Sequence, residues 1–359
     1  MNTLALANAF MLQGNAISAQ EFGSGHINST FKVTTDKGAE YVLQKINKYV
    51  FRDPVRLMSN ASAVTDFIRN KVDDPRMALH FIKTNAGRYY HRDRQGEFWR
   101  MYDFVGGFCL DTPESDEDFY QSALAFGRFQ DLLSDFPAET LFETIPEFHN
   151  TVDRFRNLRA SVEADPCGRV ASVWGELTFL EKMEEKVCRL QKMRESGELP
   201  LRVTHNDTKL NNVLLDKTTR KSLCVLDLDT VMPGLSVYDY GDSIRFGAAT
   251  AAEDEPDYMK MEMDLHLFEV YTKGFLEAAS SLTDKEVEMM PLGALTMTVE
   301  LATRFLKDYI DGDLYFKTAY PEHNLIRART QIKLAADMEK KWDEMSRIVA
   351  DVAARVRNS

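Results

Sequence analysis

From Leu201 to Met232 the chain alternates short apolar runs with polar strings, the pattern of a strand-loop-strand block. Leu201-Arg-Val-Thr204 leads into His205-Asn-Asp207-Thr-Lys209-Leu-Asn-Asn212. Val213-Leu-Leu215 follows as a strand, and Val225-Leu-Asp227-Leu-Asp229 ends a further apolar run on a carboxylate. Much of the sequence around this block reads as helix, so the chain must combine a β-rich part with a helical one.

The polar string has the form His-x-Asp-x-Lys-x-x-Asn, the spacing of a phosphoryl-transfer loop. The spacing has a mechanical reason: Asp207 holds one carboxylate against an acceptor hydroxyl, while Asn212 turns to the opposite side to bind a metal that bridges the phosphates. Asp227, fifteen residues beyond Asn212, offers a second oxygen ligand for a hard cation such as Mg²⁺. Asp229 shares its side of an extended chain and is a candidate for a second ion or a water. Taken singly, each residue has a plainer role, because Asp and Asn stabilise turns and His205 also suits a packed, hydrogen-bonded ring. It is the complete string, in its strand context, that points to chemistry.

Upstream, the order is a short helix around Leu4–Leu12, then strands at Phe31–Val33, Tyr41–Lys45 and Leu79–Ile82. A helix over Pro54–Val72 interrupts them, with Val55, Met58, Val64, Phe67 and Ile68 on its inner face. A hairpin pairs Arg88–His91 with Phe98–Val105, and Gly106-Gly107 breaks the pattern. Helices follow to about Pro200 and again after Asp254, closing with one through Trp342, Met345, Ile348 and Val352. The expected fold is α+β and bilobal: residues 1–105 form a small β-rich nucleotide-binding lobe and 106–359 a larger helical lobe with the embedded hairpin. A cleft between the lobes is the expected ligand site.

Composition removes several classes of function. A net charge of -12 and a pI near 5.2 exclude a surface that condenses on nucleic acid or anionic lipid. No apolar run reaches eighteen residues, and the N-terminal apolar stretch lacks a basic flank, so neither a membrane span nor a signal peptide is expected. Cys109, Cys167, Cys188 and Cys224 lack metal-finger spacing and read as reduced thiols of a cytoplasmic protein.

Before the first of these strands, Gly23-Ser-Gly25-His26-Ile-Asn28-Ser29-Thr30 can fold over phosphates and donate backbone N–H groups, although Gly-Ser-Gly is also an ordinary turn. Gly23, Gly25, Ser29 and Thr30 are therefore candidate nucleotide contacts. Tyr102, Phe104 and Val105, ahead of Gly106-Gly107, are candidates for the adenine, with an edge strand as the plainer alternative.

On these strings the sequence resembles the aminoglycoside phosphotransferase/choline kinase superfamily of protein-kinase-like folds, and more closely the bacterial N-acetylhexosamine 1-kinases. The nearer resemblance also rests on Asp227-Leu-Asp-Thr-Val-Met-Pro-Gly234, Tyr238-Asp-Tyr-Gly-Asp-Ser-Ile-Arg-Phe-Gly247 and Tyr320-Pro-Glu-His-Asn-Leu-Ile-Arg327. It implies transfer of the ATP γ-phosphate to the anomeric hydroxyl of GlcNAc or GalNAc. Carried over, Asp207 is the base and Asn212 and Asp227 the metal ligands, with His26, Asn28, Arg304 and Tyr315 at the sugar. Asp239 and Asp242 read as structural acids that hydrogen-bond the catalytic segment.

One departure matters. Gln44 stands where a phosphate-pairing lysine is expected, Lys45 points to the other face of the strand, and the Pro54–Val72 helix contains no Glu. Lys209 and the metal are then expected to carry more of the phosphate charge. Other small hydroxyl acceptors (homoserine, choline, aminoglycosides), a non-catalytic nucleotide-binding regulator and a metal-dependent hydrolase remain the alternatives.

Overall fold

A computed structural model describes residues 2–23 and 28–358. The chain forms two compact units. One comprises Met1–Cys109, Asp135–Pro146 and Asn212–Pro233, and the other Leu110–Ser134, Glu147–Asn211 and Gly234–Ser359. The first is built on a sheet and the second on helices, the α+β architecture expected. Among the described residues no helix is long and apolar enough to cross a membrane.

In the first unit a short helix α1 (Thr3–Ala7) precedes β1 (Ala16–Glu21), β2 (Ser29–Thr35) and β3 (Glu40–Ile46). Helix α2 (Pro54–Arg69) follows, then β4 (His91–Arg92) and β5 (Phe98–Asp103). The five strands form an antiparallel sheet in the order β1-β2-β3-β5-β4. Because successive side chains alternate faces, the register sorts them cleanly. Val33, Tyr41, Leu43, Trp99 and Met101 pack with Leu6, Ala7 and Phe10 of the α1 segment in one core. Thr30, Gln44 and Arg100 are direct cross-strand neighbours in a row on the opposite face.

Strand β1 is absent from the sequence reading, and Leu79–Ile82 is not a regular strand. It makes an isolated bridge from Phe81 to Tyr102, with Ile82 N–H donating to Met101 O at 2.8 Å. Helix α2 begins where Asp53 caps it and Pro54 fixes its first turn. Val55, expected on its inner face, is exposed, and Leu57 is buried instead. The Asn60 amide donates to Phe142 O (2.7 Å) and Val231 O (3.0 Å), which stitches three distant stretches of the chain into this unit.

In the second unit, α3 (Asp116–Leu132), α4 (Thr151–Ala164), α5 (Trp174–Val187) and α6 (Arg189–Ser196) precede the short strand β6 (Arg202–Thr204). The hairpin strands β7 (Val213–Leu215) and β8 (Ser222–Val225) belong to the first unit. The second continues with α7 (Ser236–Gly247), α8 (Leu265–Ala278), α9 (Asp284–Glu288), α10 (Met290–Asp311), α11 (His323–Lys340) and α12 (Trp342–Arg357). Helices α7 and α10 cross at two glycines. A Cβ on Gly241 would lie 2.4 Å from Gly293 O, and one on Gly293 would lie 2.3 Å from Val237 O. That close crossing sets α7 rigidly behind the loop that follows β6.

Candidate active site

The loop after β6 is hydrogen-bonded to α7. Arg202, at its base, makes a two-pronged pair with Glu286, Nε to Oε1 at 2.9 Å and Nη2 to Oε2 at 2.7 Å. The next residues donate to a single buried carboxylate: His205 N–H to Asp239 Oδ2 and Asn206 N–H to Asp239 Oδ1, both at 2.8 Å. Thr208 N–H donates to Asp242 Oδ2 at 3.0 Å, and its hydroxyl to Asp239 O at 2.6 Å. Asn206 has φ +64°, a conformation that Asn tolerates better than most residues. Asp239 and Asp242 thus act as the structural acids expected of them.

This backbone course sorts the loop into two sets. His205, Asn206 and Thr208 are buried, at 0, 7 and 1% exposure. The side chains of Asp207 and Lys209 are 30% and 38% exposed, with Lys209 Nζ 3.0 Å from Asp207 Oδ1. His205 is a packed ring, edge-on to Phe126 and Phe129, and its Nδ1 accepts the Asp207 N–H at 3.3 Å. Burial would lower the Lys209 pKa, but Asp207 and Asp242 outweigh it and hold the amine above its ordinary value. The result is a carboxylate and an ammonium side by side on a backbone hydrogen-bonded to α7.

In the first unit, Asn212 and Asp227 come to the same end of the β7–β8 hairpin. Val213 pairs with Val225, and Leu226 N–H donates to Asn212 O at 2.7 Å. Asp227 has φ +53° and leads into the turn Leu228–Thr230, which its side chain does not cap. One amide oxygen and one carboxylate are a donor set suited to a hard cation such as Mg²⁺. Gly107 lets the segment after β5 approach this hairpin: a Cβ there would lie 2.6 Å from the Leu214 side chain and 2.7 Å from Leu215 O.

Asp229 is not available as a second metal ligand. It is 2% exposed, one oxygen is ion-paired with the Arg100 guanidinium, and the other accepts from Asn28 Nδ2 at 2.7 Å. Arg100 Nε donates to Gln44 Oε1 at 2.9 Å, and Gln44 Nε2 donates to Thr30 Oγ1 at 3.0 Å. Gln44 is therefore not isolated from positive charge, as its sequence context suggests, because a buried guanidinium lies against it. Burial would lower the Arg100 pKa, but Asp229 in particular reverses that and raises it. The available clue was a lone Arg between Trp99 and Met101 in an apolar strand, since a buried charge requires a partner.

The other candidates fall as follows. Lys45 does lie on the face opposite Gln44, paired with Glu97 at 3.3 Å. Tyr102 stacks edge-on with Phe81, and its hydroxyl pKa is raised by burial. Phe104 N–H donates to Glu40 O at 3.1 Å, Phe104 meets Phe22 at 5.6 Å, and Val105 is half-buried. Phe22 N–H donates to Thr30 O at 3.0 Å, and Gly23 has φ +82°. Ser29 opens β2, whereas Gly25 and His26 lie outside the described residues. In the second unit, Arg304 of α10 sits 5.9 Å from the Tyr315 ring centre, 5.4 Å from Phe316 and 5.5 Å from Phe148. Asp308 holds that loop by accepting the backbone N–H groups of Leu314, Tyr315 and Phe316.

Against known proteins, residues 18–271 match the model of the phosphotransferase enzyme family. The fold is similar to that of a microcompartment-associated aminopropanol kinase (TM-score 0.64, 15% identity, 96% of this chain and 98% of that one). It is also similar to an aminoglycoside phosphotransferase from Alicyclobacillus acidocaldarius (TM-score 0.62, 13% identity, 100% and 97%). A third likeness is to a spectinomycin phosphotransferase in complex with ADP and spectinomycin (TM-score 0.58, 12% identity, 94% and 98%). At these identities the likeness is one of fold, the protein-kinase-like α+β architecture expected from the sequence.

Proposed function

Given that the chain belongs to the phosphotransferase enzyme family, we propose that it transfers the γ-phosphoryl group of ATP to the anomeric hydroxyl of an N-acetylhexosamine, GlcNAc or GalNAc. The observation that carries the reading is the loop after β6. It buries every residue that fixes its backbone and turns Asp207 and Lys209 outward, 3.0 Å apart. A carboxylate held this way suits the task of accepting a hydroxyl proton as the phosphoryl group moves in line. Lys209 orients it and offers positive charge to a phosphate oxygen.

Asn212 and Asp227 would hold Mg²⁺, which when bound neutralises charge on the phosphate oxygens. The ADP bound by the spectinomycin phosphotransferase supports an adenine nucleotide as co-substrate. Gly23, Ser29 and Thr30 would face its phosphates, and Tyr102, Phe104 and Val105 its base. In the second unit, Arg304 and Tyr315 would contact the sugar. The Arg304 guanidinium beside the Tyr315 and Phe316 rings offers hydrogen-bond donors to an acceptor rich in hydroxyls.

The test is a panel of N-acetylhexosamines, homoserine, choline, aminopropanol and an aminoglycoside, each with MgATP and followed by ³¹P NMR. Phosphate on the anomeric oxygen is the expected result. Phosphate on O6, or on an amino alcohol alone, overturns the sugar 1-kinase reading.

A further inference from the structure

The residue proposed to bind metal sits in a backbone conformation that needs outside support. Asp227 has φ +53° without being glycine, and its side chain does not cap the turn that follows. The support comes from two residues on. Asp229 lies in that turn, 2% exposed, with both carboxylate oxygens engaged: Arg100 of β5 on one, Asn28 just before β2 on the other.

Those two partners are themselves fixed. Arg100 is 2% exposed and donates to Gln44, which donates to Thr30, so the row runs across three adjacent strands by direct register. Asn28 Oδ1 accepts the Asn47 N–H at 3.0 Å. The network starts in the sheet and terminates on the Asp227 turn.

Resting on the reading of Asp227 as a metal ligand, we propose that Arg100 and Asp229 are positioning residues that lock the Asp227 carboxylate in place for a divalent cation. A cation from β5 thus couples the sheet to the metal-binding turn, at a site where the neighbouring β3 offers only Gln44. The guanidinium also offsets the charge of Asp229. A lysine would keep the charge but lose the second donor that reaches Gln44.

The test uses the full chain and Mn²⁺ with AMP-PNP, read by electron paramagnetic resonance of the bound ion and by calorimetry. In the double variant Arg100→Met with Asp229→Leu, apolar side chains of similar bulk replace the pair, an exchange that buried ion pairs often tolerate. The expected result is a folded protein with a cooperative melt, Mn²⁺-dependent AMP-PNP binding weakened at least ~10-fold, and an altered Mn²⁺ spectrum. Arg100→Lys alone should recover part of the affinity. If the double variant folds and binds with wild-type affinity and spectrum, the pair is packing alone and the proposal fails. Should the double variant not fold, Asp229→Asn, which keeps the shape and removes the charge, is read by the same two measurements with the same criteria. Wild-type protein that shows no Mn²⁺-dependent AMP-PNP binding overturns the reading of Asp227 itself, an outcome separate from failure of the positioning role.

Discussion

Asp239 offers the sharpest test of how the loop after β6 is held. Its Oδ2 accepts His205 N–H (2.8 Å) and Gln130 Nε2 (2.6 Å), while Oδ1 accepts Asn206 N–H (2.8 Å). Asp239→Ala would strand three buried donors at about 1–3 kcal/mol each. That is comparable with the whole stability of a typical protein, about 5–15 kcal/mol, so the alanine variant is expected not to fold.

Asp239→Asn is the informative change. Its new NH₂ can face the Gln130 side, where the otherwise unpartnered Gln130 Oε1 can turn to accept it, at the expense of the His205 N–H. Alternatively it faces Asn206 and that N–H loses its acceptor. Either way one backbone donor of the loop is orphaned, at about 1–3 kcal/mol. Part of this is returned, because burial raises the Asp239 pKa against the opposing His205 and backbone N–H groups, and the amide removes that cost.

The net expectation is a loss of about 1–2 kcal/mol. It should appear as a fall in Tm of a few degrees, since ~1 kcal/mol moves Tm by about 2–4 °C in domains of ~200 residues. Turnover should fall about 10- to 100-fold as Asp207 loses its placement, with nucleotide affinity little changed. Thermal melts by circular dichroism and steady-state kinetics measure both. An Asp239→Asn protein with wild-type Tm and wild-type kcat would refute the claim that this carboxylate holds the loop.

Asp207→Asn should lower kcat by about 10²- to 10⁴-fold with near-normal nucleotide binding by calorimetry, and full activity would remove its assignment as base. Gly241→Ala forces a Cβ to within 2.4 Å of Gly293 O, so α7 must shift from α10; a loss of about 1–3 kcal/mol by urea unfolding is expected, together with reduced turnover. Glu300 supplies a pH dependence. Burial would raise its pKa, but His149 first, then Arg154 and Arg304, outweigh this and hold it below the ordinary 4.5. A carboxylate depressed on folding adds stability above its unfolded pKa and loses it as pH falls through the folded value. Tm should therefore decline below about pH 5, and Glu300→Gln should flatten that decline.

The part proposed to carry the reaction was largely legible in the chain. His205 to Asn212, the hairpin after it and Asp227 are local in sequence, and strand periodicity with turn chemistry is a local signal. The α+β order and the helix over Pro54–Arg69 were readable for the same reason, whereas the structural role expected of Asp239 and Asp242 spans 34 residues and is no local signal. Strand β1 escaped because its residues, Ala16–Glu21, are partly exposed and weakly apolar, and Leu79–Ile82 looked like a strand because it is apolar yet forms one bridge.

Tertiary structure alone decided how Gln44 is used. Thr30, Gln44 and Arg100 are distant in sequence, and strand register sets them side by side. Asp229 joins them from beyond β8, where its spacing from Asp227 had suggested a role in metal binding. Periodicity reports which face a residue takes within its own element. It carries no information about which distant charge a fold will bury against it, and burial compels Arg100 and Asp229 to find each other.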